Sequence, residues 1–410
     1  MKQLFYEVND RCERGDNYTL LSVSEYYGIA PKSEKVEKGQ FETRAETLDG
    51  YKICRIGDIV MNIMLAWKSS TACSEYDGII SPAYCVYRQK MEINTKYYHY
   101  LFRTNLCADL FKRYSTGIID SRLRLYPDKF LALYSPVPPL LEQNRIVTYL
   151  DGKCLYIDAV IEKTKASIEE YKKLKQAVIT QVVTRGIRGD RPMKESGIEW
   201  IGKIPDDWSV IRKLSYLCDS EISYGIVKLL EPDDVNGVKV LRCSDVFPGY
   251  ISLENVRTVT REVSDEYQRT ILNGGEIVIA VRGSLGGCSV VPDSLKGYNV
   301  AREVAVISLK KDNLNRFVMY YLLSDVFNYY RDSHLLGSVY IGLNIELLSA
   351  CPVVLPSYEE QCEIADYLDI ECSKIGELIL KKEKFIADLL TYKKSLIYEY
   401  VTGKKEVPSA

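Results

Sequence analysis

Apolar residues recur every three or four positions along two long stretches of the chain, and this spacing predicts two long amphipathic helices. The first stripe runs from Ile146 through Ile157 to Val178, and the second runs from Ile364 to Leu396. A proline precedes each stretch and a glycine follows it, as expected at helix boundaries. Because the stripes step by threes and fours, they favour helices that pack on one another as a coiled coil.

The two stretches are copies of one another at a fixed offset of 218 positions. Residues Pro138–Thr184 align with Pro356–Thr402 without a gap, and the same offset places Gly57–Val60 on Gly275–Val278. With small shifts, further pairs fall into place, namely Asn94, Tyr100 and Leu101 on Asn315, Tyr321 and Leu322. The chain is therefore an internal repeat, in which each half is a globular segment followed by a helix.

The globular segments combine strands and helices. Continuous apolar runs predict buried strands over 277–281 and, more weakly, over 59–63, and Val353–Leu355 predicts a short strand before the second long helix. Tyrosine-rich segments at 97–111 and 317–330 predict helices. We predict an α/β (α+β) protein with two similar globular domains, joined by two long antiparallel coiled-coil helices with pseudo-twofold symmetry.

The repeat also sets the expected domain boundaries. These are 1–140 for the first globular domain, 141–186 for the first helix, 187–194 for a linker, 195–355 for the second globular domain, 356–403 for the second helix and 404–410 for a tail. Residue 219 falls opposite residue 1, so the segment 196–208 has no counterpart before Met1. We therefore expect the first globular domain to be short at its N-terminus.

Composition and charge narrow the possible functions. Hydrophobic residues make up 46% and charged residues 27%, which suits globular domains with buried cores. The net charge is −2, so a nucleic-acid site would have to be a local basic patch. The chain shows neither a membrane-spanning run nor a secretory signal, and we expect a cytoplasmic protein. Twelve scattered cysteines and two histidines predict neither a disulfide framework nor a metal site.

Two motifs carry a family resemblance. Pro136–Gln143 reads Pro-Val-Pro-Pro-Leu-Leu-Glu-Gln, and its second copy is Pro352–Pro356 followed by Glu359-Glu360-Gln361. Ser196–Trp208 reads Ser-Gly-Ile-Glu-Trp-Ile-Gly-Lys-Ile-Pro-Asp-Asp-Trp. In combination, over nearly the whole chain, these features resemble the specificity (S) subunit of type I restriction–modification systems. Members of that family have two target-recognition domains, each followed by a conserved helix.

The resemblance implies a non-catalytic, DNA-binding subunit without a cofactor. Such a subunit reads a bipartite target on double-stranded DNA, and partner subunits methylate adenine and cleave the DNA. Two methyltransferase (M) subunits would dock on the helices and restriction/motor (R) subunits would join, while the helix pair sets the spacing of the two half-sites. The candidate methyltransferase-docking residues lie at the helix starts and are Glu142, Gln143, Glu360 and Gln361.

Loops that follow the predicted strands supply the candidate DNA-binding residues. Lysine and arginine contact phosphates, while arginine reads guanine and asparagine reads adenine at base edges. The candidates in the first half are Trp67, Lys68, Ser69, Arg122 and Arg124. Those in the second half are Arg282, Gly283, Ser284, Lys296, Asn299 and Arg302, of which Asn299 would suit adenine. For any one of them, an ordinary solvated surface position is the alternative.

Two other classes of function stay open from the sequence. One is a self-sufficient nuclease or methyltransferase. Pro127-Asp128 with Asp151-Gly152-Lys153 matches a nuclease pattern formally, although Lys153 becomes Glu371 in the second copy. Neither a methyltransferase motif nor a phosphate-binding Gly-x4-Gly-Lys-Ser/Thr loop is present. The other class is a coiled-coil scaffold that does not bind DNA, against which the duplicated globular domains argue.

Overall fold

The computed structural model of the chain describes residues 1–13, 18–24, 28–34, 48–211, 213–227, 237–283, 285–335 and 342–408. The chain divides into two compact units. The first consists of Met1–Thr164 with Lys384–Ala410, and the second consists of Lys165–Glu383. Both long helices cross this division, so each unit contains a part of each helix.

The first unit is built around a four-stranded antiparallel sheet. Its described strands are β1 (Phe5–Val8), β2 (Leu21–Ser24), β3 (Gly28–Pro31), β4 (Lys52–Cys54), β5 (Ile59–Asn62), β6 (Thr71–Cys73), β7 (Gly78–Ile80) and β8 (Tyr84–Gln89). Its helices are α1 (Thr95–Phe102), α2 (Asn105–Tyr114) and α3 (Pro127–Ala132), and α4 (Leu140–Arg185) begins here and continues into the second unit.

The central strand β5 is covered on both faces of that sheet, whose order is β1-β8-β5-β6. Ile59 and Met61 pack into a core shared with the helices, whereas Val60 packs into a second core with strands β2, β4 and β7. Successive strand residues point to opposite faces, so a strand covered on both sides buries every residue and reads as a continuous apolar run. The strand predicted over 59–63 is confirmed for this reason.

The second unit repeats this sheet. Its described strands are β9 (Met193–Glu195), β10 (Lys203–Pro205), β11 (Ser209–Ile211), β12 (Ser223–Tyr224), β13 (Val238–Leu241), β14 (Val246–Phe247), β15 (Tyr250–Ile251), β16 (Arg257–Val259), β17 (Ile277–Ala280), β18 (Cys288–Val290), β19 (Asn299–Val300), β20 (Val304–Ile307) and β21 (Val353–Leu355). Its helices are α5 (Arg261–Asp265), α6 (Asn315–Leu322), α7 (Asp325–Leu335), α8 (Ile345–Ala350) and α9 (Tyr358–Val401).

The order β12-β20-β17-β18 matches that of the first unit strand for strand, again with antiparallel pairing throughout. Strand β17 takes the central place of β5, and all four of its residues are buried. The strands predicted over 277–281 and 353–355 are thus confirmed. None of the described helices is both long and apolar enough to cross a membrane.

Each tyrosine-rich segment is helical as predicted, and each forms two helices with a break between them. Thr104 lies between α1 and α2, and its Oγ1 accepts a hydrogen bond from the Cys107 backbone N–H at 3.3 Å. Ser324 lies in the same place between α6 and α7, and its Oγ accepts a hydrogen bond from the Phe327 backbone N–H at 3.5 Å. Serine and threonine side chains satisfy the free backbone groups at a helix start, which makes a break possible without proline or glycine.

The alignment predicted between helices α1 and α6 differs by one residue from the alignment that their contacts show. The Tyr100 hydroxyl donates to Asp151 Oδ1 at 2.6 Å, and the Tyr320 hydroxyl makes the same bond to Asp369 Oδ1 at 2.6 Å. Tyr320 is therefore the counterpart of Tyr100. The predicted pairing of Asn94, Tyr100 and Leu101 with Asn315, Tyr321 and Leu322 is wrong by one position.

Within each unit the two long helices pack antiparallel. In the first unit, the start of α4 meets the end of α9, with Ile157 and Leu396 in one core and the Tyr149 and Tyr400 hydroxyls 3.2 Å apart. In the second unit, the end of α4 meets the start of α9 through Val183 and Leu368. The apolar stripes read from the sequence form these contacts, as expected for coiled-coil packing.

Candidate DNA interface

Arg282 lies just beyond the central strand of the second unit, separated from its last residue by Val281, and is exposed. Its guanidinium carbon lies 5.5 Å from the ring centroid of Tyr224. The Tyr224 hydroxyl accepts a hydrogen bond from the Ile345 backbone N–H at 2.9 Å, which fixes the ring beneath the guanidinium. A cation held over an aromatic face keeps its outward N–H groups free and loses less freedom on binding. Arg282 is thus a preorganised donor at the surface.

Arg302 lies at the same end of the sheet as Arg282. Strands β17 and β20 pair Ala280 with Val304, and the Val281 N–H donates to the Glu303 carbonyl at 2.8 Å. In this antiparallel register the two exposed arginines lie at the same end of two neighbouring inner strands, on the edge of the sheet formed by the strand ends. Among the residues that the structure describes, no carboxylate forms an ion pair with either. As far as the described residues show, this edge therefore presents two positive charges without a carboxylate partner.

The turn after Arg282 needs glycine. Gly283 has a φ of 77°, in the left-handed region, and a Cβ there would lie 3.1 Å from the Cys243 sulfur. The turn is thereby held against the strand that precedes the β14–β15 hairpin. Ser284, the third candidate in this loop, lies outside the described residues.

A pair of exposed aromatic rings stands beside this loop, and sequence reasoning missed it. The rings of Phe247 and Tyr250, in the hairpin β14–β15, stack with centroids 4.8 Å apart and an interplanar angle of 4°. The Gly249 N–H donates to the Cys288 carbonyl at 2.8 Å, which joins the hairpin to β18. Flat aromatic faces at a nucleic-acid interface stack on bases or wedge between them. The sequence signal was the motif Phe247-Pro248-Gly249-Tyr250.

The remaining two candidates of the second unit differ from one another in exposure. Lys296 is exposed and precedes β19, whereas Arg302 follows that strand. Asn299 is fully buried, and its amide nitrogen donates to Ser264 Oγ at 3.0 Å while its oxygen accepts from Thr270 Oγ1 at 2.7 Å. Because its amide is enclosed and hydrogen-bonded, Asn299 ties together the interior of the unit and presents nothing to a base edge.

The candidates of the first unit cluster around Trp67. The Lys68 and Lys112 ammonium groups lie 5.1 Å and 4.8 Å from the centroid of its ring. Ser69 has a φ of 62°, and its hydroxyl donates to the Arg103 carbonyl at 3.4 Å. Trp67, Lys68 and Lys112 thus form a basic aromatic cluster, and Lys112 is a member that sequence reasoning missed.

Arg103 holds this cluster in place from beneath. Its guanidinium donates to the carbonyls of Ser69 and Thr71, each at 3.1 Å. Burial lowers the pKa of Arg103. A buried guanidinium that is bonded to backbone carbonyls organises a turn instead of contacting a ligand. Arg103 lies inside the tyrosine-rich segment predicted as helical, and no feature of its sequence context indicates this role.

Arg122 and Arg124 lie in a loop beside the same strand end. Arg122 is exposed, while Arg124 is half-buried and donates to the Leu123 carbonyl at 2.9 Å. The Leu125 N–H donates to the Ile63 carbonyl at 2.9 Å, just as the Leu343 N–H donates to the Val281 carbonyl at 2.8 Å in the second unit. In the first unit this loop therefore lies next to the segment that follows the central strand. Its counterpart at 336–341 lies outside the described residues.

Of the four candidate docking residues, the two glutamines join the helix to the sheet domain. Gln143 accepts from the Asn94 N–H at 2.9 Å and donates to the Pro138 carbonyl at 2.8 Å. Gln361 repeats this with the Leu314 N–H at 2.8 Å and the Pro356 carbonyl at 3.1 Å. Both glutamines and Glu360 are buried, and of the four only Glu142 is exposed.

The nuclease-like pattern is used for packing. Asp151 accepts from Tyr100 and pairs with Lys96 at 3.1 Å, and the Lys153 ammonium lies 5.6 Å from the Tyr149 ring centroid. Within the described ranges, no three histidine, cysteine, aspartate or glutamate side chains converge as metal ligands. These contacts support the alternative in which the pattern belongs to the helix surface.

Comparison with known proteins shows what the chain is similar to. Residues 205–375 match the type I restriction modification DNA specificity domain. The type I restriction enzyme MjaVIII specificity subunit of Methanocaldococcus jannaschii is 27% identical over 366 residues, which cover 85% of this chain and 81% of that protein. The chain is thus similar to type I specificity subunits over most of its length. The EcoBI specificity subunit of Escherichia coli is 26% identical over 324 residues, covering 75% of this chain and 65% of that protein.

Solved structures show that the specificity-subunit fold extends over the chain. A chain from a study of complex assembly and conformational transition in the type I R-M system has a TM-score of 0.70 at 16% identity, and the alignment covers 97% of both chains. The HsdS subunit of Thermoanaerobacter tengcongensis has a TM-score of 0.51 at 16% identity, covering 98% of this chain and 97% of that one. The predicted fold class is confirmed.

Proposed function

We propose that this chain is the non-catalytic DNA-reading subunit of a type I restriction–modification complex and acts in the cytoplasm. It binds a bipartite target on double-stranded DNA, and partner subunits methylate adenine and cleave the DNA. One observation carries this proposal. Inside the segment that matches the DNA specificity domain, an exposed Arg282 is preorganised on Tyr224, next to Arg302 at one sheet edge.

The chemistry of this edge suits direct readout. A guanidinium held in one orientation donates two parallel hydrogen bonds to the O6 and N7 atoms of guanine in the major groove. A second arginine nearby neutralises a phosphate and fixes the register. We assign base contact to Arg282, phosphate contact to Arg302 and stacking to the hairpin rings of Phe247 and Tyr250. Lys296 is a further phosphate candidate.

The first unit offers a second reading surface of the same kind. Its basic aromatic cluster of Trp67, Lys68 and Lys112 lies just beyond the central strand, and exposed Arg122 lies in the adjoining loop. Because the net charge of the chain is −2, such local clusters have to supply the attraction to DNA. We assign one half of the target to each unit.

The partners and boundaries of this assembly are part of the proposal. Two methyltransferase subunits dock on the helices, with exposed Glu142 as a contact, and restriction/motor subunits join the complex. The recognition domains are 1–140 and 195–355, and the conserved helices are 141–186 and 356–403, with a linker at 187–194 and a tail at 404–410.

Mapping of methylated adenine across the host genome tests the proposal. Strains with the gene intact, deleted or carrying Arg282→Ala are compared. We expect a bipartite motif that loses its methylation in the deletion strain. In the Arg282→Ala strain, the methylated motif should change in one half or lose its methylation. Arg269→Ala, an exposed arginine outside the sheet edge, should leave the methylome unchanged. An unaltered methylome in the deletion strain would refute the proposal, provided that the wild-type chain co-purifies with its methyltransferase.

A further inference from the structure

A short loop of the first unit carries two adjacent isoleucines on its outer side. Ile118 is 100% exposed and Ile119 is 53% exposed. Apolar side chains that are scattered singly over a surface need no explanation, whereas a contiguous apolar patch marks a surface that contacts something else. Because Ile118 buries none of its surface within the folded unit, packing gives no reason for an apolar residue at this position.

The loop that presents the isoleucines is closed by its own backbone. Thr116 and Arg124 exchange both backbone hydrogen bonds, at 2.9 Å and 3.0 Å, so the two sides of the loop pair like the end of a hairpin. A Cβ at Gly117 would lie 2.6 Å from the Arg122 carbonyl oxygen, and only glycine permits this approach. Leu125, at the base of the loop, is completely buried. A tip built in this way loses little conformational freedom when it binds.

Lys112 joins the loop to the basic aromatic cluster. Its ammonium lies 4.8 Å from the Trp67 ring centroid and 3.0 Å from Oδ2 of Asp120, the residue that follows the two isoleucines. Asp120 is the only acidic residue between positions 116 and 124. Its charge is therefore balanced, and Arg122 adds an exposed cation on the other side of the tip.

This combination of an apolar tip and flanking cations suits DNA better than it suits a protein partner. Proteins that deform a duplex insert isoleucine, leucine or phenylalanine between two base pairs, and neighbouring lysine and arginine side chains hold the phosphates on either side. The apolar core of a protein–protein interface is instead depleted of lysine. The charges beside the two isoleucines therefore identify double-stranded DNA as their occupant.

We propose that Ile118 and Ile119 form a wedge that enters between two adjacent base pairs of the target and unstacks them. This inference rests on the proposed function, in which the first unit reads one half of the target, and adds a deformation of the duplex to it. The energy needed to open a base step depends on its sequence, so the wedge selects among sequences without a hydrogen bond to a base edge.

Fluorescence of 2-aminopurine tests the wedge, because this adenine analogue brightens when it loses its stacking. The complex of the chain with methyltransferase subunits is added at saturating concentration to a duplex that carries the motif found by methylome mapping. The analogue occupies one position at a time, and the methylated adenines are left unsubstituted because methyltransferases flip those bases out themselves. We expect a severalfold rise in fluorescence at one base step in one half of the motif.

Two double variants distinguish a wedge from a mere surface contact. Ile118→Ser/Ile119→Ser should lose the rise in fluorescence even when the duplex is fully bound, because serine is too small and polar to replace a stacked base. Ile118→Met/Ile119→Met should keep the rise, since methionine also enters between base pairs. Both isoleucines are exposed, so neither double variant removes a core contact.

Ile56→Ser provides the matched control, since Ile56 is 65% exposed in the same unit and precedes β5, whereas Trp67 follows it. This variant should give the full rise. Binding of the duplex without a local rise, or an equal rise with the serine double variant, would overturn the wedge alone. Failure of the serine double variant to retain its methyltransferase subunits would do the same, because the isoleucines would then be a protein contact. An unchanged complex that binds no duplex would overturn the proposed function as well.

Discussion

At the scale of single residues, each unit is stabilised internally by the same set of polar contacts. Gln143 and Gln361 each bind a helix-start N–H and a proline carbonyl, and their aspartate neighbours Asp151 and Asp369 each accept from a tyrosine. A buried polar group that loses its partner costs more than the bond itself contributes. The repeated Glu-Gln motif therefore has a structural explanation that does not require a binding partner.

Replacing Gln143 by alanine should destabilise the first unit by about 2 kcal/mol, because the Asn94 N–H and the Pro138 carbonyl lose their partner. Denaturant unfolding, followed by circular dichroism, measures this change. Glu142→Ala is the control, since its side chain is exposed, and it should change the free energy of unfolding by less than about 0.5 kcal/mol. Equal effects of the two variants would contradict the structural role of Gln143.

His99 makes the first unit sensitive to acid. The Cys73 N–H donates to His99 Nδ1 at 3.3 Å, which requires a neutral ring. Burial, with the positive charges of Arg103, Lys96 and Lys393, lowers the pKa of His99 to about 3. The unfolded chain takes up this proton near pH 6.5, so stability is lost as pH falls from about 6.5 towards about 3, by up to about 1.4 kcal/mol per pH unit.

The variant His99→Asn tests this dependence, because its side-chain oxygen accepts the same hydrogen bond and does not titrate in this range. Denaturant unfolding between pH 6.5 and pH 4 should show a smaller loss of stability for His99→Asn than for the unchanged protein. His334→Asn, at the exposed histidine of α7, should retain the full dependence. Parallel curves for all three proteins would argue against a role for His99.

At the scale of elements, the sequence predicts the strands and helices that follow from apolar periodicity. It does not predict the helix ends that depend on side-chain caps. Strands β5 and β17 and both long helices follow from apolar spacing alone. The breaks at Thr104 and Ser324 do not, because the apolar pattern continues across them and a side-chain hydroxyl ends the helix locally. Asn299 is a candidate on residue type alone, and β19, with two residues, is too short for periodicity to indicate that the position is buried.

The hairpin β14–β15 should contribute to DNA affinity through its stacked rings. Tyr250→Ala removes one aromatic face, and we expect the complex with methyltransferase subunits to bind target DNA about tenfold more weakly, since stacking on a base contributes roughly 1–3 kcal/mol. Fluorescence anisotropy with labelled duplex measures this affinity. Tyr216→Ala, at an exposed tyrosine outside the hairpin, is the control. Unchanged affinity in Tyr250→Ala would remove the hairpin from the interface.

At the scale of the whole molecule, the repeat predicts two readers of one design, and the sheets agree with this in strand order and pairing. The candidate residues do not repeat in the same way. The first unit uses Trp67 with lysines, and the second uses Arg282 on a tyrosine. A shared framework with unlike loops is what two different half-sites require, so the framework could be predicted from the sequence and the loop contacts could not.

The two reading surfaces should act on different halves of the target. The double variant Lys68→Ala/Arg122→Ala in the first unit and Arg282→Ala in the second unit are each assayed for adenine methylation on a library of duplexes with randomised half-sites. We expect each variant to relax or lose preference in one half only, and the affected halves to differ. Loss of preference in the same half by both variants would contradict the assignment of one half to each unit.

The division of the chain has a consequence for its synthesis. The core of the first unit includes Leu396 and Val401, and the Tyr97 hydroxyl donates to the Val401 carbonyl at 2.7 Å. The second unit uses only the continuous stretch Lys165–Glu383. On the ribosome, the half that is made first must therefore wait for the last residues to emerge, with apolar helix surface uncovered in the meantime. We expect the second unit to fold before the first unit, and the nascent chain to need chaperone protection until translation ends.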